Sequence, residues 1–461
     1  MSGAAPTNGW DLVYAVRIAQ VNAQIVAEKR SPVAFSQQAG PVTVEGTFGS
    51  WQIVTGGSGY IVYLEFPVTG AVTESGKPAL PFAGKVKLQV QLNYLPVSPV
   101  ETAQQALQIA QSPALAGESL VLIEALTLSQ DPGFIADGFI RTAFQLWLSE
   151  NIGVLNRIFA VVDMTQVTAE APYAWLKPTC LSYAYVDGPQ AGEGLLAILA
   201  MTQGHSADNL PQQVAATVVP DGADAALLIS SSLLLDCIIR NALPITFPGT
   251  TTADYTLATN SPTLSLGQSR QLTSITYEGT TYEPVLDSFS VEFTGSQIVC
   301  KSQSSIPAGD GVTCYTSVLA TQGLTLVTNA QGQSTLAFTE IGSPQISHWT
   351  TTDPGTDQTD EAIGYGLMVA SALAAIFTGG IAGIFVIAAG VVVGGVMANL
   401  PELISDWTPD TAPSLDLMAV DITSPFTWTG GTAFAAASAD LAENMRLSGT
   451  PWPQTSGTPQ A

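Results

Sequence analysis

Little of this chain is charged. Asp, Glu, Lys and Arg make up 11% of its 461 residues, against roughly 25% in an average soluble protein. Bases are scarcer than acids, 13 against 37, which leaves a formal net charge of −24. So few Lys and Arg exclude the phosphate-neutralising surface that holds nucleic acid. They also exclude electrostatic docking on anionic membranes. Contact with lipid has to be apolar, or made through a local basic pocket. Histidine is nearly absent, with only His205 and His348. No HExxH, paired CxxC or GxSxG motif occurs, so the usual residues of hydrolysis and metal chemistry are missing. No catalytic residue, metal ligand or cofactor is expected, and the chain reads as a non-enzyme. Four cysteines, Cys180, Cys237, Cys300 and Cys314, are too few for a disulfide scaffold. The start, Met1-Ser2-Gly3-Ala4-Ala5-Pro6, has no basic segment leading into an apolar core. The expectation is cytoplasmic synthesis without a signal peptide, any release from the cell following an unidentified route.

The few candidate motifs have plainer explanations. Gly70 to Gly76-Lys77 has one residue too many for a phosphate loop, and Pro78 stands where Ser or Thr would hold magnesium. It reads as strand–turn–strand. His205 shares a loop with Ser206 and Asp208. A catalytic role would need Cys180 or Cys237 within hydrogen-bond reach, and a satisfied or surface histidine is the commoner case. His348, beside Trp349, reads as a strand-end residue. Cys300 and Cys314 flank the turn Pro307-Ala308-Gly309-Asp310-Gly311. Two arrangements stay open there, a disulfide across a hairpin or two free buried thiols, the second being commoner. Asp353, Asp357, Asp360 and Glu361 lack EF-hand spacing and read as a solvated acidic linker.

What the chain does have is hydrophobic residues, 46% of the total, enough for a large core under a surface of Ser, Thr, Gln and Asn. The reading is one elongated domain over 1–449, with possible halves 1–125 and 126–449, and a loose Pro/Gly tail over 450–461. Residues 8–29 are expected to form one amphipathic helix. Asn8 is its N-cap, Asp11 completes a variant capping box, and Trp10, Tyr14, Ile18, Val21 and Ile25 lie on one face. Lys29-Arg30-Ser31-Pro32 ends it. Over 41–97 strands follow. Trp51–Thr55 and Tyr60–Phe66 form a hairpin across Gly56-Gly57-Ser58-Gly59, and Val86, Leu88, Val90 and Leu92 alternate with Lys85, Lys87, Gln89 and Gln91 as a half-buried strand. Helices are expected over 133–160 and 224–243, and a β-meander over 252–347.

From Ala362 to Pro401 there is no charge, and Gly379-Gly380 divides the run. A bilayer span needs roughly 20 apolar residues, and this run is dilute in large ones. An apolar helical hairpin over 363–400 is expected, with three readings open: buried core, membrane insertion, or docking on a partner through Tyr365, Leu367, Phe377, Ile384 and Phe385. The flanks Glu361 and Glu402 are acidic, so the positive-inside cue of a constitutive anchor is missing.

Several stretches together resemble one family. They are Asn8-Gly9-Trp10-Asp11-Leu12-Val13-Tyr14-Ala15, Trp51-Gln52-Ile53-Val54 with Gly56-Gly57, and Phe66-Pro67 with Gly70. Phe159-Ala160-Val161-Val162, Trp175-Leu176-Lys177-Pro178-Thr179 and Tyr183-Ala184-Tyr185 are the most specific. Leu228-Ile229-Ser230, Pro425-Phe426-Thr427-Trp428, Phe434 and Leu447-Ser448-Gly449 complete the ordered set. This set is similar to the clostridial forty-seven-kilodalton protein family, which lies beside OrfX-type neurotoxin genes. Residues 250–350 and the pair Thr429-Gly430 depart from the pattern. The resemblance implies a TULIP-like (tubular lipid-binding) α+β fold, long helices wrapped by a strongly curved antiparallel β-sheet. It also implies a lipid or acyl chain as ligand, or protein partners in a toxin-associated assembly, and it carries over no catalytic residue. On that fold the tail of a ligand is expected between the helices, at Tyr14, Ile18, Trp147, Leu148 and Phe159, and the strand bearing Val86, Leu88 and Val90. Burial of each CH₂ would contribute about 0.8 kcal/mol. The same side chains also suit an ordinary core.

Overall fold

The computed structural model describes residues 3–29, 31–97, 103–110, 121–130, 132–155, 157–164, 174–190, 192–258, 261–277, 280–309, 311–328, 332, 334–354 and 422–452. The expected helix over 8–29 is two elements. Asn8 and Gly9 turn the chain with positive φ, strand β1 (Leu12–Arg17) follows, and helix α1 (Ile18–Glu28) begins only then. The reason lies in β1's surroundings. It is paired on both sides and covered on both faces, with Leu12, Tyr14 and Val16 in one core and Val13 and Ala15 in another. A strand buried on both faces loses its alternation and reads as a plain apolar run. The true helix keeps Ile18, Val21 and Ile25 buried and ends where expected, Lys29 adopting a left-handed cap.

Strands β2 (Ala34–Ala39), β3 (Val42–Phe48), β4 (Gln52–Gly59), β5 (Ile61–Glu74), β6 (Leu80–Pro96), β7 (Gln104–Ile109) and β8 (Val121–Gln130) follow. The β4–β5 hairpin and the alternation on β6 are as read, with Val86, Leu88, Val90 and Leu92 buried. Both long strands serve two neighbours along one edge. β5 pairs with β4 and then β3; β6 pairs with β8 and then β7. Bulges interrupt these ladders at Val54/Ser58, Ala83/Gly84 and Lys87/Leu88, and each bulge bends its strand. Across β2, β3, β5 and β6 one row reads Phe35, Gly46, Gly70, Phe82 in register. Each glycine lies under a phenylalanine ring, and a Cβ there would strike both the ring and a neighbouring carbonyl.

Helix α2 (Phe134–Glu150) is shorter than the expected 133–160. Phe159 belongs to β9 (Ile158–Asp163). Then come β10 (Pro178–Val186), β11 (Leu195–Thr202) and β12 (Ala225–Ile229), the last two buried along their whole length. The expected helix over 224–243 is therefore strand β12 followed by a helical run from Ser231 to Thr246 with a π-turn at Leu235–Ile239. Again apolarity alone does not separate a strand covered on both faces from a helix.

Among the described residues fifteen strands form one antiparallel sheet. Its main path runs Phe426–Trp428, β9, β7, β6, β5, β4, β10, β11, β1, β12, Met445–Thr450, Ala435–Leu441. The two ends of that path are separated in sequence only by residues 429–434, and the sheet is a curled half-barrel. Tyr14, from the middle of the sheet, meets Phe426, Trp428 and Phe434 edge-to-face at 5.9, 5.9 and 5.8 Å. The last strand includes Thr450, and Trp452 beyond it is buried with its Nε1–H donated to the Thr429 carbonyl.

The expected meander is a second antiparallel sheet of eight strands, from Tyr255–Leu257 to Gln345–Thr352. In it Cys300 stands opposite Ala320 and Cys314 opposite Ile306. The two thiols do not face each other, and both are free and buried. The apolar hairpin over 363–400, with Tyr365, Leu367, Phe377, Ile384 and Phe385, lies outside the described residues. Among those described, no helix is long and apolar enough to cross a membrane.

Candidate functional site

α2 buries Ala136, Ile140, Ala143, Phe144, Trp147 and Leu148, steps of three and four that make one stripe. It lies over β2, β3, β5 and β8. Beneath it the space is filled by rings. Phe144 meets Phe35 at 4.8 Å, and Phe48 meets Trp147 at 5.1 Å and Phe66 at 5.6 Å. Trp51 continues the series to Phe66 at 6.1 Å and Phe159 at 6.2 Å. Such contacts add about 0.5–1.5 kcal/mol each beyond the area they bury.

The filling stops at the start of α2. There an open apolar groove of about 600 Å³ lies between Val42 of β3, Val72 of β5, Leu80 at the start of β6, and Ile135, Ala136 and Phe139 of α2. That volume is within the range of small-molecule sites, roughly 300–1,000 Å³. Gly133 admits the chain to α2 at φ +103°, with open space around it, so backbone conformation rather than crowding calls for glycine. At the rim Lys77 Nζ donates to Glu74 Oε2 at 2.8 Å. The turn carrying Gly76 and Lys77 joins β5 to β6, the strand–turn–strand that the sequence indicated.

The eight expected ligand residues, Tyr14, Ile18, Val86, Leu88, Val90, Trp147, Leu148 and Phe159, all belong to one core cluster and are at most 7% exposed. None lines the groove. Ile18 borders a separate cavity of about 240 Å³ with Asn22, Ile53 and Tyr185, where the Asn22 amide bonds both backbone groups of Ile53. Sequence reasoning does not single out the groove residues. One signal is available: Ile135 lies just off the buried stripe of α2, an aliphatic residue on the polar side.

The polar residues make anchors. Asp11, 6% exposed, accepts from Thr202 N at 2.8 Å and Thr202 Oγ1 at 3.1 Å, and lies 2.9 Å from His205 Nδ1. It ties the chain entering β1 to the end of β11; it does not cap a helix. His205 meets this carboxylate, not a cysteine. Asp11→Ala leaves the buried Thr202 N–H without its acceptor and is expected to cost about 1–3 kcal/mol. His205→Ala, at a half-exposed ring, should stay within about 0.5 kcal/mol. Urea midpoints at constant slope check both. His348 lies inside the strand Gln345–Thr352, its Nδ1 3.2 Å from Thr316 Oγ1. Burial pushes the Cys237 thiol up to about 12, with Asp236 adding to it, and burial raises Cys300 and Cys314 as well. Raised thiols are poor nucleophiles at neutral pH. Among the described residues no group of three or more His, Cys, Asp or Glu is placed to hold a metal.

A family profile described as OrfX-like, Protein OrfX2/OrfX3/P47, matches residues 7–449. The chain belongs to the OrfX-like family. This OrfX-like chain is 27% identical over 470 residues to Protein OrfX3 of Paraclostridium bifermentans, covering 93% of itself and 94% of that protein. To Protein OrfX3 of Clostridium botulinum (strain Kyoto / Type A2) it is 26% identical, over 96% and 98%. Its fold is similar to P47 from Clostridium botulinum A2, with a TM-score of 0.66 at 15% identity over 97% of this chain and 98% of that one. P47 of Clostridium botulinum E1 gives 0.65 at 14%, over 96% and 99%. The sequence resemblance to the P47 family thus holds across the OrfX-like chain.

Proposed function

We propose that this OrfX-like protein is a non-catalytic, TULIP-like binder of an apolar ligand, serving as an accessory protein of a toxin-associated gene cluster. The observation that carries the reading is the open apolar groove at the start of α2. A single acyl chain is the occupant that suits it. The chain would enter past Leu80 and Ile135, lie against Val42, Val72 and Phe139, and point toward the rings at Phe35 and Phe144. Trp147, Leu148, Phe159, Val86, Leu88 and Val90, with Tyr14 and Ile18 farther along the core, would then be the wall that fixes how deep it goes. Burial of CH₂ groups, about 0.8 kcal/mol each, is the driving force.

Filling the groove tests this. Ala136 is buried at its base. Ala136→Phe is expected to lower affinity for a monomeric fluorescent fatty acid at least tenfold while the thermal midpoint falls by no more than a few degrees. Unchanged binding, or no fatty acid bound by the parent protein, would end the proposal. A second reading, a protein–protein scaffold, is favoured by the strand Gln345–Thr352. It carries no charge, pairs with Val312–Leu319, and exposes Ile346 and Trp349. Strand edges lacking charged gatekeepers readily accept another strand.

A further inference from the structure

The mouth of the α2 groove has an unusual surface. Ile135 is 76% exposed and Leu80 45% exposed. One comes from the first turn of α2 and the other from the start of β6, yet both border the same opening. Isolated exposed aliphatics need no explanation, but two on independent elements at the lip of an apolar groove form a patch. Among the described residues the charges lining this mouth, Lys77 and Glu74, neutralise each other at 2.8 Å. Pro78 and Pro132 also line it, and proline has no N–H to leave unsatisfied in hydrocarbon.

We infer that this lip is where the protein meets a membrane, Ile135 and Leu80 entering the hydrocarbon of a bilayer of neutral, zwitterionic lipid. The inference rests on the groove's taking an acyl chain and adds how the chain reaches it. A net charge of −24 opposes approach to an anionic leaflet. The neutral lip suits an uncharged surface, and apolar side chains at such a lip give shallow interfacial binding. A lipid tail then passes from the bilayer into the groove between Leu80 and Ile135 without crossing water.

The test uses the full chain, its variant Leu80→Asn/Ile135→Asn, and two probes. With phosphatidylcholine vesicles in flotation, the parent is expected to bind and the variant to bind at least tenfold more weakly. With a fluorescent fatty acid kept monomeric, the parent is expected to bind, which reports the groove without any vesicle. Leu80 and Ile135 border that groove, so the variant loses some affinity here too, but by a smaller factor than it loses for vesicles. An unchanged thermal midpoint shows that the exposed substitutions leave the fold intact. No flotation of the parent, or flotation unaffected by the variant, overturns the inference while fatty-acid binding leaves the groove reading standing. If neither protein binds the fatty acid, the groove reading and the inference fall together. A parent dimer that the variant dissolves would make the lip a contact between copies and also overturn the inference.

Discussion

Gly70→Val is expected to destabilise the protein by about 3 kcal/mol or more. Any Cβ at Gly70 meets the Glu45 carbonyl and lies 2.8 Å from Phe82 Cζ. Neither can withdraw. The carbonyl belongs to the β3–β5 ladder, and the Phe82 ring is fixed against Phe35 and Phe144. Overpacking a well-filled core costs about 1–3 kcal/mol, and forcing apart a paired backbone adds to it. Gly138→Ala is the matched control. Gly138 lies in α2, where an added Cβ would have no neighbour within 4 Å, so alanine there should stabilise by about 0.5–1 kcal/mol. Urea unfolding followed by tryptophan fluorescence reads both. A Gly70→Val midpoint equal to the parent's would mean that the Phe82 ring does not lie over Gly70 as described.

Phe144→Ala is expected to cost about 3–5 kcal/mol, the range for a large buried aromatic whose neighbours cannot close the gap. Phe35, Phe48 and Phe82 all pack on this ring, at 4.8, 5.9 and 6.5 Å. Phe144→Leu keeps most of the volume and should cost about 1 kcal/mol. On the proposed reading, in which the tail points toward Phe35 and Phe144, the alanine variant also gives the tail more room. A saturating long-chain fatty acid should therefore raise its thermal midpoint more than the parent's, since a ligand stabilises the state it binds in proportion to its affinity. Equal shifts would separate the groove from the space under α2.

The sequence is legible where one face of an element meets water. On β6 Val86, Leu88 and Val90 point inward while Lys87 and Gln89 stay partly exposed, and the period of two is plain. The second sheet is readable for the same reason. Where both faces are covered the pattern disappears, and β1 and β12 carry the apolarity of a helix without its geometry. Leu228 and Leu227 lie in different cores, so every position of that strand is apolar. Phe159 differs for another reason: the chain leaves α2 at Asn151 and re-enters the sheet at Ile158, and a continuous apolar count passes over that break. Size and apolarity point to the expected ligand residues, but they mark a packed core as readily as a binding wall. The groove is made where packing ends, at Val42, Val72, Leu80 and Ile135. It arises from a hairpin end and a helix start meeting across the fold, a relation that no local spacing records.

The two ends of the large sheet have a consequence for how the protein is made. Phe426–Trp428 completes one end and Ala435–Leu441 the other, while Met445–Thr450 adds the neighbour of β12. Until the ribosome has released this stretch, the nascent sheet stands open at both rims. A premature stop anywhere before residue 426 would therefore leave two raw rims and uncover the Tyr14 ring, and such a fragment should be prey for chaperones and proteases, not a smaller working version of the protein.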